Sequence, residues 1–135
     1  MDIVSKEKRS EIMRKVRGKD TKPEKIVRSL LHSMGYRFRL HRKDLPGNPD
    51  IVLPKYKLVI FVHGCFWHRH LDCKKAQMPS TNVLYWKGKF KHNVARDKNV
   101  IKQLKCKGYR VCVVWECELT DLQSLAIKIQ KMRDV

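Results

Sequence analysis

Cys65, His70 and Cys73 fall within nine residues of one another, and Cys117 lies far downstream. Thiolates and imidazole are the donors a borderline-soft ion prefers. Three local ligands completed by a distant fourth is the pattern of a closed structural zinc site. Ordinary buried cysteines are the plainer use of these residues. Against it, the segment 63–82 shows no apolar periodicity and needs something other than a core to order it. His68 lies between the same cysteines and competes with His70 for the histidine position. Cys106 and Cys112 fall in a helical and a strand pattern and read as packing residues.

A second group could work on phosphate. Asp50 opens an apolar strand after Pro49, and a carboxylate there can hold Mg²⁺ against a scissile phosphate. Pro-Asp is also common turn chemistry. His63 adds weight because it stands where the apolar run Leu58–Val62 emerges; His68 follows closely. Both suit proton transfer near neutral pH. Asp97 occupies a place in a helical apolar stripe where a carboxylate needs a partner. That partner is a histidine of this group, or Arg96 or a nearby lysine in a simple ion pair. Glu24 stands three residues after Thr21, which is the spacing of a capping box. Phe66 and Trp67, with Trp86 further on, are aromatics beside a basic surface. They either pack or wedge between base pairs, and two consecutive large rings in a loop are hard to bury together.

The elements that must position these residues read in the order α, β, β, β, long loop, α, β, α. A helix from about Lys22 to Met34 is capped by Thr21, has Pro23 in its first turn and ends at Gly35. Val27, Leu30, Leu31 and Met34 share its apolar face. Tyr36–Leu40 alternates as a half-buried strand, and Ile51–Leu53 with Leu58–Val62 reads as a hairpin of core strands. A helix from about Val83 to Lys107 buries Phe90, Val94, Ile101 and Leu104, with Trp86, Asn93 and Asp97 along the same side. Tyr109–Trp115 is a further strand. A last helix starts near Thr120, with a capping box to Gln123, and turns Leu122, Leu125, Ile129 and Met132 inward. Strands mixed with helices predict an α/β domain, a small mixed sheet covered by helices.

The chain has 135 residues, is 42% hydrophobic and carries a net charge of +18, from 31 basic and 13 acidic side chains. That suits one domain at 20–135, preceded at 1–19 by a basic arm or helix that either lies along DNA or is a solvated tail. Such an excess of positive charge attracts phosphate backbones, and solubility alone needs far less. No apolar stretch approaches the roughly 20 residues that cross a membrane, and the start has no block resembling a signal peptide. No long helix pairs a basic face with an aromatic one, against a membrane-surface role. A soluble intracellular protein is expected. The odd count of five cysteines argues against a disulfide framework.

Taken together, Leu45-Pro-Gly-Asn-Pro-Asp50, Val62-His-Gly-Cys-Phe-Trp-His68, the Cys65/His70/Cys73 pattern, Asn93-x-x-Arg-Asp97 and Val114-Trp-Glu-Cys117 resemble the Vsr family of very-short-patch repair endonucleases. The resemblance runs from about Arg9 to Leu119. It implies a single-domain restriction-endonuclease-like fold and Mg²⁺-dependent hydrolysis of one strand, 5′ to the thymine of a T·G mismatch left by deamination of 5-methylcytosine. It further implies Asp50 as principal metal ligand, helped by the Val62 backbone carbonyl, with Glu24 acting through water or positioning. His68 is the implied general base, His63 its catalytic partner and Asp97 their orienter. Phe66, Trp67 and Trp86 are the implied wedge, and Cys65, His70, Cys73 and Cys117 the zinc ligands. Phe61 and His63 stand where restriction enzymes carry an acid-x-Lys pair. The expected setting is a monomer on double-stranded DNA in the bacterial cytoplasm, associated with the nucleoid, in a genome that also encodes a cytosine-5 DNA methyltransferase. The rival expectations are a zinc-stabilised DNA-binding module without catalysis and a restriction nuclease of the same fold.

Overall fold

The computed structural model describes residues 21–134, so the basic segment 1–19 lies outside the described residues. Helix α1 runs Lys22–Ser33; the Thr21 hydroxyl accepts the Glu24 N–H at 3.4 Å, and Gly35 leaves the helix at φ 82°. Val27 and Leu31 are fully buried, with Leu30 and Met34 packed at their edge. The alternating stretch after it forms only a two-residue strand, β1 (Arg39–Leu40). Tyr36 is drawn back to the helix, its N–H donating to the Leu31 carbonyl at 3.1 Å, so it cannot join a ladder. Leu40 is left 38% exposed.

Strand β2 (Ile51–Leu53), a 3₁₀ turn at Pro54–Tyr56 and strand β3 (Leu58–His63) make the expected hairpin, with Lys57 in the left-handed region at its corner. Helix α2 (Val83–Cys106) then crosses over to strand β4 (Arg110–Trp115), which pairs parallel to β3. The sheet order is β1-β2-β3-β4, antiparallel except for that last pair. Helix α3 (Leu122–Asp134) closes the domain. Its cap is Asp121, which accepts the Ser124 N–H at 3.2 Å, in place of the expected Thr120. Thr120 donates instead to the Cys117 carbonyl at 3.0 Å and closes the preceding turn. Leu122, the first residue of α3, is left 41% exposed at the helix end, while Leu125 and Ile129 are buried as expected.

The period-two alternation of strands explains the layers. Ile51, Leu53, Leu58, Ile60, Cys112 and Val114 face α1 and α3; Val52, Val59, Phe61 and Val111 face Leu104 of α2. Both sheet faces are therefore covered, which is why β2 and β3 read as continuous apolar runs. On α2 the inward positions are Phe90, Asn93 and Leu104, with Val100 and Ile101 packed nearby; Val94 is only half-buried. The mixed sheet flanked by helices is the α/β fold the pattern predicts. No helix among the described residues is long and apolar enough to cross a membrane.

Candidate functional site

A cleft of about 1050 Å³ opens where β3 leaves the sheet, lined by Glu24, Asp50, Val62, His63, His68 and Asp97 among others. Asp50 reaches it because β2 begins just after it. With Ile51 paired to Ile60, the ladder runs out beside Val62, and the Asp50 carboxylate takes the place of the missing strand. The Val62 N–H donates to Asp50 Oδ2 at 2.8 Å. A residue in an extended strand sends its N–H and C=O from the same edge, so the Val62 carbonyl belongs to this side as well. Burial first, and then the charge of Glu24, push the Asp50 carboxyl up to about 6 against the pull of the Val62 N–H. A carboxylate held in so unfavourable a place is a strong seat for a cation.

Glu24 is buried on the first turn of α1, so the capping geometry of Thr21 and a place in the cleft are compatible. Its Oε2 lies 3.5 Å from Arg28 and 3.5 Å from His41 Nε2. Donor atoms of Glu24, His41 and Asp50 all fall within 4.8 Å of one another. His41 is a site residue the sequence did not disclose. It follows an alternating strand pattern like any surface polar residue, and only its left-handed backbone, φ 48°, turns it inward.

The histidines form a column. His63 and His68 stack at 3.8 Å with rings 6° from parallel, and His68 Nδ1 meets Asp97 Oδ2 at 2.6 Å. Asp97 thus has the histidine partner expected of a carboxylate in an apolar stripe. Accepting from Nδ1–H, it assigns the tautomer in which Nε2 carries a lone pair, the form of a general base. Burial, then the neighbouring His68, hold the His63 imidazole down to about 3, so His63 is a neutral ring at physiological pH. On its far side Trp115 meets His63 edge-on at 5.3 Å and stacks on His70 at 4.2 Å.

That contact leads to the cysteines. The parallel register sets His63 beside Trp115, so Cys65 and Cys117, each two residues further, leave the sheet side by side. The turn after Cys65, with the His70 N–H on the Cys65 carbonyl at 3.0 Å, brings in His70, and Cys73 completes the group. Donor atoms of Cys65, His70, Cys73 and Cys117 lie within 4.8 Å of one another. His68 is in the other cluster, so the two histidines are separated as the pattern allowed. Burial pushes the Cys65 thiol up to about 12, whereas the Lys75 N–H lowers that of Cys73. A bound cation favours thiolate at all of them, and three sulfurs with one nitrogen fit a closed tetrahedral site. The turn carrying Cys117 is braced by Glu118, which accepts the Trp115 N–H at 2.9 Å and the Lys128 ammonium at 2.8 Å. That brace, from α3, had no signal in the sequence.

Phe66, Trp67 and Trp86 do come together, with ring centroids 5.1 to 5.8 Å apart, but they are half-buried rather than fully exposed. Phe90 underlies them, 5.2 Å from Phe66 and 5.5 Å from Trp86. Asn93 donates to the Trp67 carbonyl at 3.2 Å and ties the loop to α2. Lys89, His92 and Arg96 line the cleft beside Trp67 and His68. The result is an aromatic ridge on a fixed support, next to a basic groove, suited to a nucleic acid.

The family model described as DNA mismatch endonuclease Vsr matches residues 1–75. A "Type II nicking enzyme V.XorIIP" of Xanthomonas oryzae pv. oryzae is 54% identical, over 98% of this chain and 97% of its own length. The "DNA mismatch endonuclease Vsr" of Escherichia coli K12 is 43% identical, over 92% and 79%. Among solved structures, the "Homing Endonuclease I-Bth0305I Catalytic Domain" superposes with a TM-score of 0.59 at 28% identity, covering 84% of this chain and 94% of that one. The fold is thus restriction-endonuclease-like, as expected.

Proposed function

Because the chain belongs to the Vsr family of DNA mismatch endonucleases, we propose that it nicks one strand of duplex DNA 5′ to the thymine of a T·G mismatch, in a Mg²⁺-dependent hydrolysis. The observation that carries the chemistry is the His68–Asp97 pair at 2.6 Å, in one cleft with the Asp50 carboxylate and Val62. Asp50 and the Val62 carbonyl hold the metal, with Glu24 beside them. Bound there, Mg²⁺ supplies Lewis-acid stabilisation of the charge that develops on the phosphate. His68 Nε2 takes a proton from the attacking water, and Asp97 stabilises the imidazolium that forms. As water adds to phosphorus, one P–O bond to the sugar breaks and the leaving oxygen takes up a proton from solvent water, while His68 returns its proton to solvent. His63, neutral and stacked on His68, fixes the plane of the base.

Zinc at Cys65, His70, Cys73 and Cys117 is structural in this reading. It orders the loop that presents Phe66 and Trp67, which with Trp86 wedge beside the mismatch. The basic charge binds the backbone, and the protein acts as a monomer on bacterial DNA in the nucleoid. Deamination of 5-methylcytosine supplies the mismatch, so a cytosine-5 methyltransferase is its genomic companion. The test is cleavage of a T·G duplex by zinc-loaded protein with and without Mg²⁺, using wild type and Asp50→Ala. Nicking that needs both Mg²⁺ and Asp50 is expected. Nicking by the variant, or tight binding with no nick in Mg²⁺, Mn²⁺ or Co²⁺, would overturn it.

A further inference from the structure

His41 is placed by three constraints that agree. Its φ of 48° is a conformation that a residue with a Cβ adopts only when its surroundings impose it. Its N–H donates to the Asp50 carbonyl at 3.2 Å, which registers its backbone to Asp50. Its Nε2 then stands 3.5 Å from Glu24 Oε2, with the histidine side chain 17% exposed. Arg28 already brings a full positive charge to the same Glu24 oxygen, so neutralising Glu24 does not require a histidine. What His41 adds is a lone pair beside two carboxylates, and the three donors lie within 4.8 Å of one another. Opposite oxygen donors on a small divalent ion are separated by about 4 Å, so one ion reaches all three after a small inward movement.

We infer that His41 gives its imidazole nitrogen to the divalent cation that Asp50 and the Val62 carbonyl hold beside Glu24, making this a mixed nitrogen–oxygen site rather than an all-oxygen one. The inference rests on the reading of Asp50 as the metal-binding carboxylate. A nitrogen donor strengthens binding of Co²⁺ and Mn²⁺ more than that of Mg²⁺, which prefers oxygen. A histidine that merely steadied Glu24 would affect all three ions alike.

The experiment uses full-length protein with zinc in its cysteine cluster, and no DNA. Pulsed EPR of added Mn²⁺ is expected to show ¹⁴N coupling from one imidazole, lost in His41→Gln and kept in His68→Ala. Competition titrations are expected to show the Co²⁺-to-Mg²⁺ affinity ratio falling on the order of 10-fold in His41→Gln. Absence of nitrogen coupling in wild type, its persistence in His41→Gln, or a parallel loss of all three ions would overturn the inference. Neither measurement depends on cleavage, so both can fail while the nicking reading stands. Mn²⁺ binding unaffected by Asp50→Asn would instead count against the metal role of Asp50.

Discussion

Replacing Asp50 by Asn should stabilise the Mg²⁺-free protein while abolishing nicking, and the gain should depend on pH. The carboxyl is raised from 3.8 to about 6, chiefly by burial. That difference corresponds to about 3 kcal/mol, at about 1.4 kcal/mol for each tenfold change. Residual solvent access at the site lowers the expectation to roughly 1–3 kcal/mol. The sign follows from where the proton is held. Below about pH 4, Asp50 is protonated folded or unfolded, and wild type and Asp50→Asn differ by a constant. As pH rises from about 4 to 6, the unfolded chain releases the proton while the folded one keeps it, so wild type loses stability. Above about pH 6 the penalty is complete. Asparagine does not titrate, and its carbonyl can still accept the Val62 N–H. The assay is thermal unfolding of both proteins from pH 5 to 8, in buffer without Mg²⁺ or chelator, so that the cysteine cluster keeps its metal. Asp50→Asn should melt roughly 5–10 °C higher at pH 8, with the gap narrowing toward pH 5. Saturating Mg²⁺ should then stabilise wild type alone, by about 2.7 kcal/mol at 100-fold excess over Kd. A gap independent of pH, or a variant less stable than wild type at pH 8, would refute the reasoning.

Three further outcomes are expected. Asp97→Asn should slow single-turnover nicking by roughly 10²–10⁴-fold with DNA binding retained, because His68 loses the carboxylate that sets its tautomer; an unchanged rate would remove Asp97 from the mechanism. Trp67→Ala should lower the preference for T·G over paired duplex in binding titrations by about 1–3 kcal/mol, and an unaltered preference would argue against the wedge. Stripping metal with a strong chelator, or the Cys117→Ala change, should lose one zinc per chain by elemental analysis and weaken loop order seen by hydrogen exchange over residues 63–82. Zinc retained in Cys117→Ala would exclude that ligand.

The layers were legible in the sequence through local periodicity, and the two side-chain clusters through residue types and short spacings. Apolar runs of strand length marked β2, β3 and β4, and the Cys65–Cys73 spacing survives any choice of tertiary arrangement. Asp97 was legible because a carboxylate in an apolar stripe contradicts its surroundings. What escaped depends on backbone dihedrals and on contacts between remote segments. His41 joins Glu24 and Asp50 through one left-handed residue. Trp115 lies between His70 and His63 because of the β3–β4 register. Phe90 was read as core and turned out also to support the aromatic ridge. Leu122 shares the helical face of Leu125 and Ile129 but stands at the first residue of α3, where periodicity alone does not show that it is left 41% exposed.

The central claim is most directly tested by strand-resolved cleavage of duplexes differing only at one T·G, A·T or G·C pair, each strand carrying its own label, in Mg²⁺. A single nick 5′ to the mismatched thymine, with the guanine strand and both paired duplexes intact, is the result predicted. Cuts in both strands, or equal cleavage of the paired duplexes, would contradict it.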